Sequence, residues 1–455
     1  MDKFDVIVIG SGAGMGVVYN AIAEGLTVAL IERGPLGGTC LNNGCIPSKM
    51  LIYPADVVTA IRDAGRLGID AEIQNIDFKN IMNRMRSFVA GQRTDMEEEL
   101  KDMSNLTLFR ETSEFVDEMK LDAGGNTITA PRIAIVSGSR PAIPPIPGLR
   151  ESGYLDNVSL LDLTEPPESL IIMGGGYIGC EYGHFFSAMG TDVTLIGRSP
   201  VLLNNEDLEV SEVLTESLSR FISVRTSHEV IRVEKEGDKK AVYAKNLIDG
   251  MEYRFIADEI LVALGREPNS DLLKPERTGI ETDRKGWIKV NQYLETTRKG
   301  IWAYGDAIGK NMFRHTANYQ AEIVSQNMLF NKKIEDDEHA VPHAVFTHPQ
   351  VGAVGLMEHE AKQKGYKVKI GKARYTDTAK GNAMMEEEGF VKVVVEDGTY
   401  RILGCAVVGP EASDLVQQVV YLMNAGNGDW EPIWMSQVIH PAMSEVVVRA
   451  FSNLK

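Results

Sequence analysis

Two glycine-rich turns, each set between an apolar strand and a helix, constrain this 455-residue chain more than any other feature. The first follows Asp5-Val6-Ile7-Val8-Ile9, a β-branched run typical of a strand buried in a parallel sheet. It reads Gly10-Ser11-Gly12-Ala13-Gly14-Met15-Gly16, with a predicted helix over Val17–Glu24 and a second strand over Thr27–Glu32. The second turn, Gly174-Gly175-Gly176-Tyr177-Ile178-Gly179, follows Ser169–Met173 and leads to a helix around Glu181–Met189 and a strand over Asp192–Ile196. Strand, turn, helix and strand in that order make a βαβ unit. Its glycines let the backbone approach a pyrophosphate, which then sits at a helix N-terminus.

The two turns carry different signals. In the first, Gly10, Gly12 and Gly14 line the cradle, and Glu32 ends the second strand where a carboxylate can accept bonds from ribose hydroxyls. Met15 stands where a third glycine is usual, a departure expected to alter helix–strand packing. In the second, Gly174, Gly176 and Gly179 fit the pattern fully, and Tyr177 and Ile178 open the helix. The strand that follows ends in Gly197-Arg198 rather than in an acid. A carboxylate there would bind a 2′-hydroxyl and repel a 2′-phosphate. Its absence, with a cation beside it, favours NADP over NAD.

Further segments suggest FAD for the first site. Ile301–Asp306 is an apolar strand ending in Gly305-Asp306, where the acid can bind ribityl and phosphate-side groups. Val136-Ser137-Gly138-Ser139-Arg140-Pro141 and Ala263-Leu264-Gly265-Arg266-Glu267-Pro268-Asn269 read as two similar chain-crossing turns, with Ser137, Gly138 and Gly265 as candidate contacts. A proline-rich connection, Pro141 to Pro147, marks a boundary near residue 150. From about Gln350 the texture becomes α+β. Phe390–Val395 and Leu403–Val408 flank the turn Asp397-Gly398, followed by helices at Ser413–Ala425 and Met443–Ser452.

Composition narrows the function classes. Hydrophobic residues are 44% and charged residues 24%, which excludes a disordered tail, a collagen and a coiled-coil rod. No run of about 18 apolar residues occurs, so no membrane span is expected. The segment Met1–Asp5 lacks the features of a signal peptide, and a cytoplasmic protein is expected. A net charge of −17 argues against nucleic acid as a partner. Four cysteines are too few for a secreted disulfide scaffold of this size.

Two of those cysteines lie in Gly37-Gly38-Thr39-Cys40-Leu41-Asn42-Asn43-Gly44-Cys45-Ile46-Pro47-Ser48-Lys49. The C-x4-C spacing lacks a second Cys/His pair, so no metal is expected. Pro47 suits the first turn of a helix, which would place Cys45 at a helix N-terminus with Lys49 near it, both lowering its thiol pKa. Such a pair in a reducing compartment reads as redox-active. Cys180 and Cys405 read as core residues. Lys49 and Glu181 could form an ion pair beside a flavin if the fold brings them together. His440 has the titration range needed to make a thiolate, with Glu445 able to orient its other ring nitrogen.

With these residues in view, the chain resembles the class I flavoprotein pyridine nucleotide–disulfide oxidoreductases, which include dihydrolipoamide dehydrogenase, glutathione reductase, mycothione reductase and mercuric reductase. The resemblance is carried by Gly37–Lys49, Gly174–Glu181, Gly300–Asp306, His315-Thr316-Ala317, Phe346-Thr347-His348-Pro349, Gly389–Val395 and His440–Glu445. It implies an α/β fold of two Rossmann-like dinucleotide-binding domains plus an α+β C-terminal domain. The expected segments are 1–150 (FAD-binding, with the cysteine pair), 151–270 (NAD(P)-binding), 271–340 (central, completing the FAD site) and 341–455 (dimerisation or interface).

The resemblance also implies residue roles. Gly38, Thr39, Lys49, His315 and Ala317 would join the FAD site. Tyr177 resembles the family's gating aromatic. Cys45 resembles the flavin-facing thiol, and Cys40 the interchange thiol that attacks a small-molecule disulfide. His440 would act on Cys40 from the partner subunit of a homodimer, supported by Glu445. Among family members, the Cys40–Lys49 wording is most like dihydrolipoamide dehydrogenase, although Val438 stands where that enzyme usually has a second histidine. Met15, Arg198 and Ile439-His440-Pro441-Ala442 are shared oddities with mycothione reductase. The two readings stay open, beside a third from another class: a flavin-bearing redox sensor or assembly subunit with little turnover.

Overall fold

A computed structural model describes all residues, 1–455. The chain forms two compact units, each assembled from three separate stretches. The first comprises Met1–Ser48, Asn83–Ala142 and Gly265–Asp337. Its centre is a five-stranded parallel sheet in the order Ile301–Ala303, Ile133–Ile135, Val6–Ile9, Val28–Ile31 and Leu106–Phe109. Val6–Ile9 and Val28–Ile31 are buried throughout, as a strand covered on both faces requires. A smaller sheet joins Asp2–Lys3, Asn126–Thr129, Lys120–Ala123 and Ser113–Asp117. The two anticipated crossing turns meet directly: Ser139–Pro141 pairs antiparallel with Arg266–Pro268.

The first helix, Gly14–Ala23, begins at the glycine turn and packs on Arg314–Phe330. The close approach falls to Gly14, where an added Cβ would lie 2.8 Å from Val8 Cγ1, and Met15 is buried in the core. The close helix–strand approach thus lies one residue earlier in the turn, at Gly14.

The second unit comprises Lys49–Met82, Ile143–Leu264 and Glu338–Lys455. It holds a parallel sheet in the order Ser223–Arg225, Asp192–Ile196, Ser169–Met173 and Glu259–Val262. The helix Tyr177–Ala188 follows its glycine turn. His228–Glu236, Lys239–Asn246 and Glu252–Ala257 form an antiparallel sheet beside it. The C-terminal part is a five-stranded antiparallel sheet ordered Pro342–Val345, Val351–Gly355, Ile402–Val408, Phe390–Glu396 and Val368–Arg374. The helices Ala412–Met423 and Glu445–Ser452 bury their apolar sides against it. No helix is long and apolar enough to cross a membrane.

The two glycine turns share one detail. Gly10 has φ +108°, and a Cβ there would stand 2.3 Å from the Val136 carbonyl oxygen. Gly174 has φ +122°, and its Cβ would stand 2.2 Å from that of Ala263. In each fold the crossing segment presses its backbone on the first glycine of the turn, so only a residue without a side chain fits.

Within the second unit, the ammonium of Lys392, on Phe390–Glu396, is buried. It meets Asp207 at 3.0 Å, Glu209 at 2.9 Å and Glu358 at 3.1 Å. Asp207 also caps the helix Leu208–Leu218 by accepting from the Glu209 amide. Charge thus ties the helix beside the nucleotide fold to the C-terminal sheet.

Gly371, on Val368–Arg374, lets the helix Glu445–Ser452 lie directly on the sheet, because a Cβ there would be 2.0 Å from the Ala450 carbonyl oxygen. Gly371→Ala should therefore lower stability by about 1–3 kcal/mol, the range for overpacking. Urea denaturation followed by circular dichroism would measure it, and unchanged stability would contradict this packing.

Candidate active site

In the first unit, Gly37 and Gly38 have φ +95° and +62°. These left-handed conformations turn the chain across the first glycine turn, where a Cβ on Gly38 would come within 2.8 Å of Gly12 Cα. A short helix, Gly38–Asn43, carries Thr39 and Cys40. Asn42 fixes it: its side-chain amide donates to the carbonyls of Leu36 at 2.9 Å and Gly38 at 2.8 Å, and its oxygen accepts from Arg93. A new helix, Cys45–Asp63, starts at the second cysteine, as the proline signal suggested, with Pro47 in its first turn.

All four cysteines are thiols. Cys45 is exposed, Cys40 is half-buried, and Cys180 and Cys405 are buried as expected. Cys40 and Cys45 interact directly. A hydrogen bond with Cys45, then burial, push the Cys40 thiol far above its ordinary range, against the pull of the Arg314 charge.

Around the first turn, Glu32 accepts from the Ser11 amide at 3.0 Å and hydroxyl at 2.8 Å, and from the Gly34 amide at 2.9 Å. Asp306 accepts from the Ser139 hydroxyl at 2.6 Å, and Arg266 lies 3.8 Å away. Gly305 donates its amide to Gln320, and its missing Cβ admits Ala317. His315 opens the same helix and stacks on Phe313. Arg314 was not anticipated. Its guanidinium lies 3.7 Å from where a Gly12 Cβ would be, so one cation faces both the glycine turn and Cys40. The only hint in the sequence is its place just before His315-Thr316-Ala317.

In the second unit, Lys49 and Glu181 do come together. The ammonium bonds both carboxylate oxygens at 2.8 Å and sits 4.6 Å from the centre of the Phe346 ring. Glu181 is buried and also accepts from the Phe346 amide at 3.0 Å. It lies at the start of the second turn of the helix Tyr177–Ala188. Gly174, Gly176, Ile178 and Gly179 form the second glycine turn and the start of its helix. A Cβ on Gly179 would clash with the Gly174 carbonyl at 2.0 Å, while one on Gly176 would meet nothing within 4 Å. Arg198 follows Gly197 and pairs with Glu229 at 3.3 Å, a contact the sequence did not suggest.

Tyr177 is tied to two residues also missed in the sequence, Glu206 and His343. His440 places Nδ1 2.9 Å from Glu445 Oε1. That bond, then one from the Ala442 amide, hold the Glu445 carboxyl below its usual range. The carboxylate can only accept, so Nδ1 carries a proton and Nε2 is turned outward.

Two dinucleotide folds and a C-x4-C dithiol in one chain define a nucleotide-linked redox protein that works through sulfur. Residues 4–321 match the pyridine nucleotide-disulphide oxidoreductase family, and residues 341–451 match its dimerisation domain. The chain belongs to the pyridine nucleotide–disulphide oxidoreductases and is an FAD-dependent disulfide oxidoreductase that uses a nicotinamide nucleotide. It is 34% identical to a mycothione reductase of Mycobacterium tuberculosis across the full length of both. It is 32% identical to a dihydrolipoyl dehydrogenase of Bacillus subtilis, covering 97% of each. The solved structure of the HOCl-induced flavoprotein disulfide reductase RclA from Escherichia coli superposes with a TM-score of 0.88 at 28% identity, covering 99% of this chain and 100% of that one.

The first unit fits the flavin cofactor. The hydroxyls of Ser137 and Thr316 are buried without a hydrogen-bond partner, and a Cβ on Gly138 would meet no atom within 4 Å. Orphaned buried hydroxyls beside open backbone suit a polar ligand.

The Lys49–Glu181 pair gives a stability test. Lys49→Met leaves a buried carboxylate with only the Phe346 amide and should cost about 1–3 kcal/mol. Lys49→Met with Glu181→Leu should recover most of that loss. Equal losses in chemical denaturation would show that the charge pair is not what matters.

Proposed function

We propose that this enzyme passes electrons from NADPH to a low-molecular-weight disulfide. The observation that carries this direction and nucleotide is Gly197-Arg198 at the end of Asp192–Ile196, a strand end with no carboxylate and with an exposed cation. The full-length likeness to a mycothione reductase supports it. The competing reading, oxidation of a dithiol of the dihydrolipoamide type, is favoured by the Cys40–Lys49 wording and the likeness to a dihydrolipoyl dehydrogenase.

In this reading the segments are 1–150, 151–270, 271–340 and 341–455, with flavin in the first, nicotinamide nucleotide in the second and the subunit interface in the last. Gly10, Gly12, Gly14 and Arg314 would hold the flavin pyrophosphate, Glu32 its ribose, and Asp306 its ribityl side. Bound FAD would relay two electrons from the nucleotide to sulfur. The Cys40–Cys45 disulfide takes up those electrons and one proton, leaving a thiolate on Cys45 and a thiol on Cys40. The high position of the Cys40 thiol supports this division.

His440 of the partner subunit draws the Cys40 proton, and Cys40 attacks one sulfur of the substrate. The substrate S–S bond breaks, a mixed disulfide forms, and the imidazolium returns the proton to the departing thiolate. Cys45 then attacks Cys40 Sγ, closing the protein disulfide and releasing the second thiol, which takes its proton from solvent. Glu445 fixes the imidazole throughout. His440 lies among exposed apolar residues, Trp434, Met435 and Ile439, a surface suited to a second copy. The homodimer rests on these and on the dimerisation domain. We place the protein in the cytoplasm, where nicotinamide nucleotides supply its reductant.

Three substitutions test the roles. Cys40→Ser should leave flavin reduction by NADPH intact yet abolish disulfide turnover, by ~10³-fold or more. His440→Ala should slow exchange by ~10²–10⁴-fold, the range for a general acid–base group, with FAD retained. Stopped-flow absorbance separates the two half-reactions, and surviving turnover in Cys40→Ser would remove it as interchange thiol. Arg198→Glu should shift kcat/KM from NADPH toward NADH. A steady-state screen of lipoamide, glutathione disulfide, mycothione, bis-γ-glutamylcystine and coenzyme A disulfide with both nucleotides then fixes the substrate. Efficient NAD-linked oxidation of dihydrolipoamide would displace the reductase reading.

A further inference from the structure

Tyr177, Glu206 and His343 come from three distant stretches of the second unit: the first residue of Tyr177–Ala188, the loop before Leu208–Leu218, and the strand Pro342–Val345. The Tyr177 hydroxyl donates to Glu206 Oε1 at 2.8 Å. His343 Nε2 lies 2.8 Å from the same oxygen and 2.9 Å from Oε2. The imidazole also stacks on the phenol, with centroids 5.9 Å apart and planes 16° from parallel. The Glu206 side chain is only 2% exposed. Neighbouring Asp207 caps the helix that follows, so Glu206 has no part in that cap. A carboxylate this buried must be given donors, and both of its side-chain donors here are aromatic residues.

Tyr177 follows the second glycine turn at once. On the reading above, a nucleotide pyrophosphate sits on that turn, with its adenosine toward Arg198 and its nicotinamide beyond Tyr177. We propose that Glu206 and His343 are positioning residues that latch Tyr177 across the nicotinamide approach. Admitting the ring requires Tyr177 to swing aside, which breaks one charge-assisted hydrogen bond and one ring stack. Because only the unlatched state accepts the ring, apparent affinity falls by the fraction of molecules that are unlatched. The latch thus sets how tightly the nicotinamide end binds, without touching the adenosine end. The inference rests on the nicotinamide reading of the second site.

The test is calorimetry on the FAD-loaded protein with two probes. One is tetrahydro-NADP, a redox-inert analogue of NADPH. The other is adenosine 2′,5′-bisphosphate, which has no nicotinamide. Tyr177→Phe and Glu206→Gln should each tighten the analogue by ~10–150-fold, the scale of one hydrogen bond to a charged group. Neither should change binding of the bisphosphate, and Glu206→Gln should add nothing in the Tyr177→Phe background. Tyr177→Phe removes a single oxygen and keeps the test open if Glu206→Gln fails to fold. Equal changes with both probes, or additive effects, would overturn the latch. If Tyr177→Ala tightens the analogue while Tyr177→Phe and Glu206→Gln do not, the latch fails and the nicotinamide reading stands. If Tyr177→Ala leaves the analogue unchanged, that reading fails and takes the latch with it.

Discussion

The redox pair takes its position from backbone packed on backbone. Gly38 lies so close to Gly12 that it cannot carry a side chain, and Gly10 meets the Val136 carbonyl in the same way. These contacts are non-directional, but they leave no room for slack. They fix the cysteine-bearing helix to the turn that opens the first nucleotide fold. Asn42 and Arg93 then hold the loop by hydrogen bonds where side-chain packing could not reach.

The second unit solves a different problem. Its candidate site carries two buried carboxylates, Glu181 and Glu206, each costly to bury unless donors surround it. Glu181 is matched by an ammonium and a backbone amide, Glu206 by a phenol and an imidazole. The first set is close to a fixed ion pair, held on both oxygens. The second includes a ring at the mouth of a glycine turn, so the same requirement is met by an ion pair in one place and by two aromatic donors in the other.

Much of this was legible in the sequence, for physical reasons. Parallel strands buried on both faces read as unbroken apolar runs, so Val6–Ile9 and Ser169–Met173 lie where the pattern put them. Crossing turns with similar wording proved to press on equivalent glycines. The start of a helix at Cys45 followed from Pro47. What stayed hidden were pairings between distant stretches: Tyr177 with Glu206 and His343, Arg198 with Glu229, and Arg314 facing the first turn. No local spacing encodes such partners. At the first turn the close helix–strand approach falls to Gly14, one residue before Met15.

The cluster around Lys392 has its own consequence. Hydrogen bonds from Lys372 and Lys392 outweigh burial and hold the Glu209 carboxyl below its ordinary range, and bonds from Lys362, then Lys392, do so for Glu358. Carboxyls depressed in this way add stability above their unfolded pKa and lose it as pH falls through their folded values. The apolar side chains of the cores on either side do not titrate. Acid below the ordinary carboxylate range should therefore unfasten this seam before it melts either core, giving the unit a built-in order of disassembly.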